Sequence, residues 1–207
     1  IMLKILLTGS SGLLGRHLKI EADRPSHQEL DITKTISTQW LIDYDLIVHC
    51  AAYTNVEKAE IDKMECFDVN VRGTLKLLNL FPKTPFVYVS SEYAHKPVNF
   101  YSLTKSLAEQ LVTYHTAPYL IIRTLFKPRP WKYPYAFKDQ WTLGSYVNDI
   151  APKIDEAIMN WDKKSKLIYI GHGGRKTMYD LAIETRLDVI PNSVDDIKTV
   201  RLPKDYK

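Results

Sequence analysis

The sequence predicts an α/β protein: a doubly wound parallel sheet of the Rossmann type carrying a small C-terminal substrate-binding cap. Three observations lead there. Short, almost wholly apolar runs alternate with stretches of helical spacing, which is how parallel strands covered on both faces read. A glycine-rich loop, Thr8-Gly-Ser-Ser-Gly-Leu-Leu-Gly15, follows the first of those runs. Two serines, Ser90 and Ser91, close a later one, and sheets of this class take their ligands just beyond the carboxyl ends of strands.

Taken in order, residues 4–8 read as the first strand, and a helix is expected to begin near Gly12, cut short because Arg24 and His27 arrive soon after the glycines. A weaker strand is expected around 19–23, with further apolar strands at 45–50 and 85–90. Between those two, residues 57–81 carry helical spacing, with Val69, Leu75, Leu78 and Phe81 among the apolar positions. A helix over 100–115 and a strand over 119–123 complete the doubly wound pattern. Residues 127–135 include Pro128, Pro130 and Pro134 and read as a loop. Beyond it, 146–160 is helical, 167–170 strand-like, 171–174 a Gly-His-Gly-Gly turn, and 176–186 helical again. The expected division is a dinucleotide-binding part at 1–125 and a cap at 126–207 that is too short to bury a core alone.

Composition narrows the function classes. Of 207 residues, 45% are hydrophobic and 25% charged, which is globular rather than disordered. Cys50 and Cys66 make no disulfide framework, so a reducing, cytoplasmic setting is expected. The opening residues enter strand-like sequence at once, unlike a signal peptide, and no apolar run nears the roughly 18 residues of a membrane span. The six histidines lack ligand spacing, so no metal site is expected. The net charge of +4 is spread along the chain, and no nucleic-acid partner is expected.

The glycine loop has a physical logic. Gly9 permits a tight turn, Gly12 lets backbone approach a pyrophosphate, and Gly15 lets a helix pack close to the sheet, with Ser11, Leu13 and Leu14 on the same loop. The bland alternative is a glycine turn without a ligand. Tyr101 and Lys105 stand one helical turn apart on one face. A phenol beside an ammonium and under a serine hydroxyl can pass a proton to a carbonyl that accepts hydride. Moving a phenol from about 10 to about 7 needs roughly 4 kcal/mol of selective phenolate stabilisation, which an ammonium and a cationic nicotinamide ring can supply. The Tyr–Lys spacing is common by chance and gains force only beside the glycine loop and the serines.

Together these features resemble the extended short-chain dehydrogenase/reductase superfamily. Finer stretches resemble its dTDP-4-dehydrorhamnose reductase branch: Leu30-Asp-Ile-Thr33, the run from His49 to Glu60, Asp68-Val-Asn-Val-Arg-Gly-Thr74, Ser90-Ser-Glu-Tyr93, Ile122-Arg-Thr124 and Lys138-Asp-Gln140. The resemblance implies that Tyr101 gives the proton, that Lys105 holds the nicotinamide ribose and lowers the Tyr101 pKa, and that Ser91 bonds the reacting oxygen. It implies Asp31 and Ile32 at the adenine, Ala51, Ala52 and Tyr53 along the pyrophosphate and ribose, and Ser90 at the cofactor. Ser91, Glu92, Trp131 and Gln140 would face a nucleotide-sugar substrate. Asn70 reads as a structural hydrogen-bonder. Arg24 and His27 follow the second strand where a 2′-phosphate would sit, and no acidic residue is clearly placed to grip a ribose diol, Asp23 excepted. NADP(H) is therefore expected over NAD(H), with a 4-keto sugar nucleotide as the substrate reduced. A nucleotide-sugar epimerase or dehydratase, a non-catalytic regulatory subunit, and a homodimer all stay open.

One departure shapes a further expectation. Nine residues separate Ser91 from Tyr101, fewer than the family carries, which leaves little to fold over a substrate. Residues 127–141 interleave Trp131, Tyr133, Tyr135, Phe137 and Trp141 with Lys127, Arg129, Lys132 and Lys138. Two readings stand level: rings that stack a base while Arg129 or Lys132 meets its phosphates, or rings that pack on the sheet edge. On the first, Trp131 and Trp141 should cover the nicotinamide end of the cleft.

Overall fold

Side chains alternate across each strand, and that alternation sorts the core into two layers. In the computed structural model, which describes residues 3–206, β1 (Ile5–Thr8) and β2 (Leu46–His49) precede a helical run. That run joins α1 (Lys63–Phe67), a π-helical stretch (Asp68–Gly73) and α2 (Thr74–Leu80). β3 (Phe86–Ser91), α3 (Phe100–Thr113) and β4 (Tyr119–Thr124) follow. Short strands β5 (Phe126–Lys127), β6 (Tyr135–Phe137), β7 (Trp141–Thr142) and β8 (Ser145–Tyr146) lead to α4 (Val147–Met159) and β9 (Lys166–Ile170). β10 (Lys176–Thr177), α5 (Met178–Ile183) and β11 (Ile190–Asn192) come last.

The main sheet runs β1-β2-β3-β4-β9, every pair parallel. Ile5, Leu7, Leu46, Val48, Val87, Val89, Leu120 and Ile122 face α4, where Val147, Ile150, Ile154 and Ile158 meet them. Leu6, Ile47, Phe86, Tyr88 and Ile121 face the other way, against Leu77 and Leu78 of α2 and Ala108 and Val112 of α3. Each fully buried large apolar side chain contributes roughly 1.5–3 kcal/mol, so these two layers dominate the stability of the sheet.

The switch in strand order creates the crevice. Leu7 donates to the Asp23 carbonyl at 2.9 Å and Asp23 donates to Ile5 at 2.8 Å, on the edge of β1 opposite β2. The chain thus leaves β1 to one side and re-enters the sheet on the other, opening a ligand crevice at the carboxyl ends of β1 and β2.

Two expected elements are cut down here. No regular helix follows Gly12; isolated turns such as Arg16 to Gly12 (3.2 Å) and Leu18 to Leu14 (3.2 Å) take its place. The strand expected at 19–23 shrinks to the single bridge between Leu6 and Asp23. The chain has only a few residues after Gly15 before it must return to the sheet edge. Arg24 closes the short turn by donating to the carbonyls of Gly15 (2.9 Å), Leu18 (2.9 Å) and Ile20 (2.8 Å), acceptors that a longer helix would have satisfied internally.

The proline-rich segment also departs from a plain loop, because it contributes strand residues that pair far along the chain. β5 pairs β8, β6 pairs β11 and β7 pairs β10. Beneath them a third apolar cluster gathers Tyr93 and Tyr101 with Leu125, Trp131, Tyr146, Met178 and Leu181. Among the described residues, no helix is long and apolar enough to cross a membrane.

Candidate active site

The glycine loop sits at the switch point because nothing larger fits. Gly9 has φ +71°, and a Cβ there would lie 2.4 Å from the Ala51 nitrogen. A Cβ on Gly15 would lie 2.2 Å from the Gly9 carbonyl oxygen, so turn and loop pack backbone to backbone. Gly12 differs: its Cβ would meet only the Gly9 oxygen, at 3.2 Å, leaving the position open outward. Ser11 is exposed and Leu13 half-buried, while Leu14 is buried in the layer under α4.

A buried histidine fastens this floor. Thr8 Oγ1 and His49 Nδ1 are 2.7 Å apart, His49 Nε2 and Thr74 Oγ1 3.0 Å, and Thr74 Oγ1 donates to the Asn70 carbonyl at 2.7 Å. With the Thr74 proton spent on Asn70, His49 donates from Nε2 and accepts at Nδ1. Burial pushes its pKa down to about 3, with the Lys105 charge adding to the shift, so the ring is neutral. Asn70 holds the next segment: Oδ1 accepts from Tyr53 N (2.8 Å), and Nδ2 donates to Tyr53 O (3.2 Å) and Thr104 Oγ1 (2.9 Å). Ala51, Ala52 and Tyr53 are thereby set half-buried beside the loop, and the Tyr53 hydroxyl donates to Asp62 (3.0 Å).

α3 brings the phenol and the ammonium to the end of β3. Its N-cap is Asn99, whose side chain accepts from Ser102 N (2.8 Å) while Ser102 Oγ accepts from Asn99 N (3.2 Å), a reciprocal box that fixes the first turn. Tyr101 and Lys105 both point inward, 9% and 2% exposed. Burial pushes the Tyr101 pKa up to about 12, with the Ser91 hydroxyl pulling against it and Cys66 adding slightly. Lys105 donates to the Val89 carbonyl at 3.0 Å and lies 4.3 Å from the centre of the Tyr88 ring. Burial lowers its pKa to about 8, opposed by Glu109 and the two cysteine thiols. The expected lowering of the Tyr101 pKa by Lys105 is thus not what this arrangement gives; burial dominates, and the phenol keeps its proton. Glu109, one turn beyond Lys105, receives a forked pair from Arg123 at 2.6–3.2 Å, which locks α3 to β4.

The other expected residues fall into three groups. Ser90 and Ser91 end β3, buried; Ser91 Oγ accepts from Tyr93 N at 3.2 Å, and Ser90 Oγ has no hydrogen-bond partner among the described residues. Arg24 is exposed near the loop with donors to spare beyond its three carbonyls, and His27 is exposed, 3.7 Å from Asp31. Burial alone would raise Asp31, but Thr33, Lys34 and His27 hold it at about 2. Ile32 is buried, its Cδ1 where a Cβ on Gly73 would sit (2.6 Å). On the cap side, Gln140 donates to the Pro203 carbonyl at 3.0 Å. Trp131 is buried in the same apolar cluster as Tyr101, whereas Trp141 stacks on Arg175 at 4.3 Å, on the ribbon of β7 and β10.

Sequence reasoning assigned Glu92 to substrate but missed its local partners. It accepts from the Thr142 hydroxyl and from Leu143 N (3.3 Å), some fifty residues away. Burial raises its pKa to about 7, with both of those bonds opposing. The open side of Gly12 and the orphaned Ser90 hydroxyl suit a dinucleotide: one offers backbone to a pyrophosphate, the other a buried polar atom needing a partner.

Comparison with known proteins agrees with this fold. The family model described as the RmlD substrate binding domain matches residues 3–127. A dTDP-4-dehydrorhamnose reductase of Aggregatibacter actinomycetemcomitans is 28% identical over 188 residues, covering 78% of this chain and 59% of that protein. A GDP-6-deoxy-D-talose 4-dehydrogenase of the same organism is 28% identical over 201 residues, covering 82% of this chain and 63% of that protein. The chain therefore spans less than two thirds of the length of these curated relatives. Among solved structures, a dTDP-4-dehydrorhamnose reductase from Bacillus anthracis in complex with NADP superposes with a TM-score of 0.83 at 20% identity, over 100% of this chain and 90% of that one. One from Clostridium acetobutylicum gives 0.83 at 22% identity, over 98% and 89%. Both share the fold.

Proposed function

The chain belongs to the RmlD substrate binding domain family, and from that premise we propose that it is an NADPH-dependent reductase of a nucleotide-linked 4-keto-6-deoxy sugar. The observation that carries the reading is the joint burial of Tyr101 and Lys105 against the end of β3, where Ser90 and Ser91 lie. The names of relatives support the sugar class. A dTDP-4-dehydrorhamnose reductase, a GDP-6-deoxy-D-talose 4-dehydrogenase and a probable dTDP-4,6-dihydroxy-2-methyloxan-3-one 4-ketoreductase differ in much but share chemistry at the sugar 4-position.

A bound NADPH supplies the hydride. The glycine loop, with Ser11 and Leu13, would hold its pyrophosphate, and Arg24 with His27 its 2′-phosphate. Ala51, Ala52, Tyr53 and Ser90 would line the path to the ribose, where Lys105 bonds the hydroxyls, with Asp31 and Ile32 towards the adenine. Tyr101, protonated at neutral pH because burial disfavours its anion, gives the Oη proton to the ketone oxygen. Ser91 Oγ accepts from Tyr93 N while its hydroxyl acts on the Tyr101 phenol, and on turning from the phenol it would steady the same ketone oxygen. Glu92, Trp131 and Gln140 form the wall on the cap side, and Trp131 helps keep water from the reacting atoms.

The test is loss of NADPH absorbance on adding dTDP-, GDP- and UDP-linked 4-keto-6-deoxy sugars. Oxidation with one of them supports the reading. NADPH binding without oxidation by any of them contradicts it.

A further inference from the structure

Lys127 stands just past the carboxyl end of β4, at the ligand end of the sheet. Its ammonium lies 5.2 Å from the ring centre of Tyr133 and 6.0 Å from that of Trp131. Several cations of the cap have a carboxylate: Arg129 has Asp149 at 3.7 Å, Arg186 has Asp188 at 2.9 Å, and Arg175 and Lys176 pair with Asp205 and Glu184. Among the described residues Lys127 has none at ion-pair distance. Glu92 acts on it only from farther off, its own oxygens occupied by Thr142 and Leu143. Trp131 is 4% exposed, yet its indole N–H has no acceptor, and the buried Thr124 hydroxyl is likewise unpartnered.

A half-buried unpaired cation and a buried donor without an acceptor are costly, and an anion rich in oxygens between Lys127 and the Trp131 indole relieves both. The cofactor does not explain them. Its pyrophosphate belongs at the glycine loop beside β1, and three strand spacings of about 4.8 Å put β4 roughly 14 Å away. Ser91 and Tyr101 lie between those two ends. We propose that Lys127, with the Trp131 indole N–H, is the subsite for the diphosphate of a nucleoside diphosphate, on the far side of the reacting centre from the cofactor. This rests on the reading of the chain as a sugar-nucleotide reductase. It replaces Arg129, which Asp149 and the Tyr146 ring already engage, as the phosphate partner on the aromatic loop.

Calorimetric titration of wild type, Lys127→Met, Lys127→Arg and Trp131→Phe with dTDP, thymidine, pyrophosphate and NADPH tests it. Lys127→Met is expected to weaken dTDP about tenfold or more, Lys127→Arg to restore much of that, and Trp131→Phe to weaken it less. Thymidine and NADPH should bind all four alike, which also shows that the variants fold. Unchanged dTDP affinity in Lys127→Met overturns the subsite, as does an equal loss of NADPH. Pyrophosphate bound by wild type as tightly as dTDP overturns the nucleoside assignment. Wild type that binds NADPH but not dTDP overturns the subsite alone, whereas failure to bind NADPH defeats the reductase reading itself.

Discussion

Lys105 Nζ donates to the Val89 carbonyl at 3.0 Å, so the ammonium of α3 is anchored to the backbone of β3 two residues before Ser91. The anchor fixes where the charge lies when a ribose arrives. On the proposed reading, Lys105→Met removes a cation that serves twice, for the ribose and for the phenolate left after proton transfer. NADPH affinity and turnover should both fall, turnover by roughly 10²-fold or more. Titration and steady-state kinetics on the same variant check this.

Gly9→Ala should be among the most damaging single-methyl changes in the chain. The Cβ would enter the Ala51 backbone at 2.4 Å in a left-handed conformation, so the loop or β2 must shift. The expected cost is roughly 3 kcal/mol or more, read as a lowered denaturant midpoint, along with loss of NADPH binding.

Arg24→Ala separates two jobs. It strands the carbonyls of Gly15, Leu18 and Ile20 at a partly buried site, at a cost of about 1–3 kcal/mol. It also removes the proposed 2′-phosphate partner. Wild type should bind NADPH more tightly than NADH, and the variant should lose that preference while keeping NADH affinity. Calorimetry with both cofactors decides.

Glu92 predicts a pH slope. Burial raises its folded pKa to about 7 from 4.5, so between those values the folded state holds more proton than the unfolded. Its contribution is fully present below pH 4.5 and is lost as pH rises through 7, a span of roughly 3 kcal/mol. Stability in that window should fall with rising pH, and Glu92→Gln should flatten the slope. Melting curves across the window measure both.

The strands of the main sheet were legible because continuous apolar runs leave few alternatives, and the α3 pair was legible from its one-turn spacing. That the first helix is cut short was legible from Arg24 and His27 arriving soon after the glycines; that it dissolves into isolated turns was not, because Arg24 reaching three carbonyls leaves no periodic trace. The two- and three-residue strands of the cap escaped for a related reason. Their pairing partners lie far along the chain, as Phe126 with Ser145 and Tyr135 with Ile190, and no local pattern encodes them. The partners of Glu92 and the solitary charge of Lys127 are likewise products of folding rather than of sequence neighbourhood.

The central claim is that Tyr101 donates the proton in a reduction driven by NADPH, and one comparison tests it most directly. Wild type and Tyr101→Phe are followed by NADPH oxidation with the preferred 4-keto sugar nucleotide, after titration shows equal NADPH affinity. Wild type should turn over, and the variant should be slower by roughly 10²–10⁴-fold, the usual contribution of a positioned general acid. A Tyr101→Phe enzyme that oxidises NADPH at the wild-type rate would contradict the account.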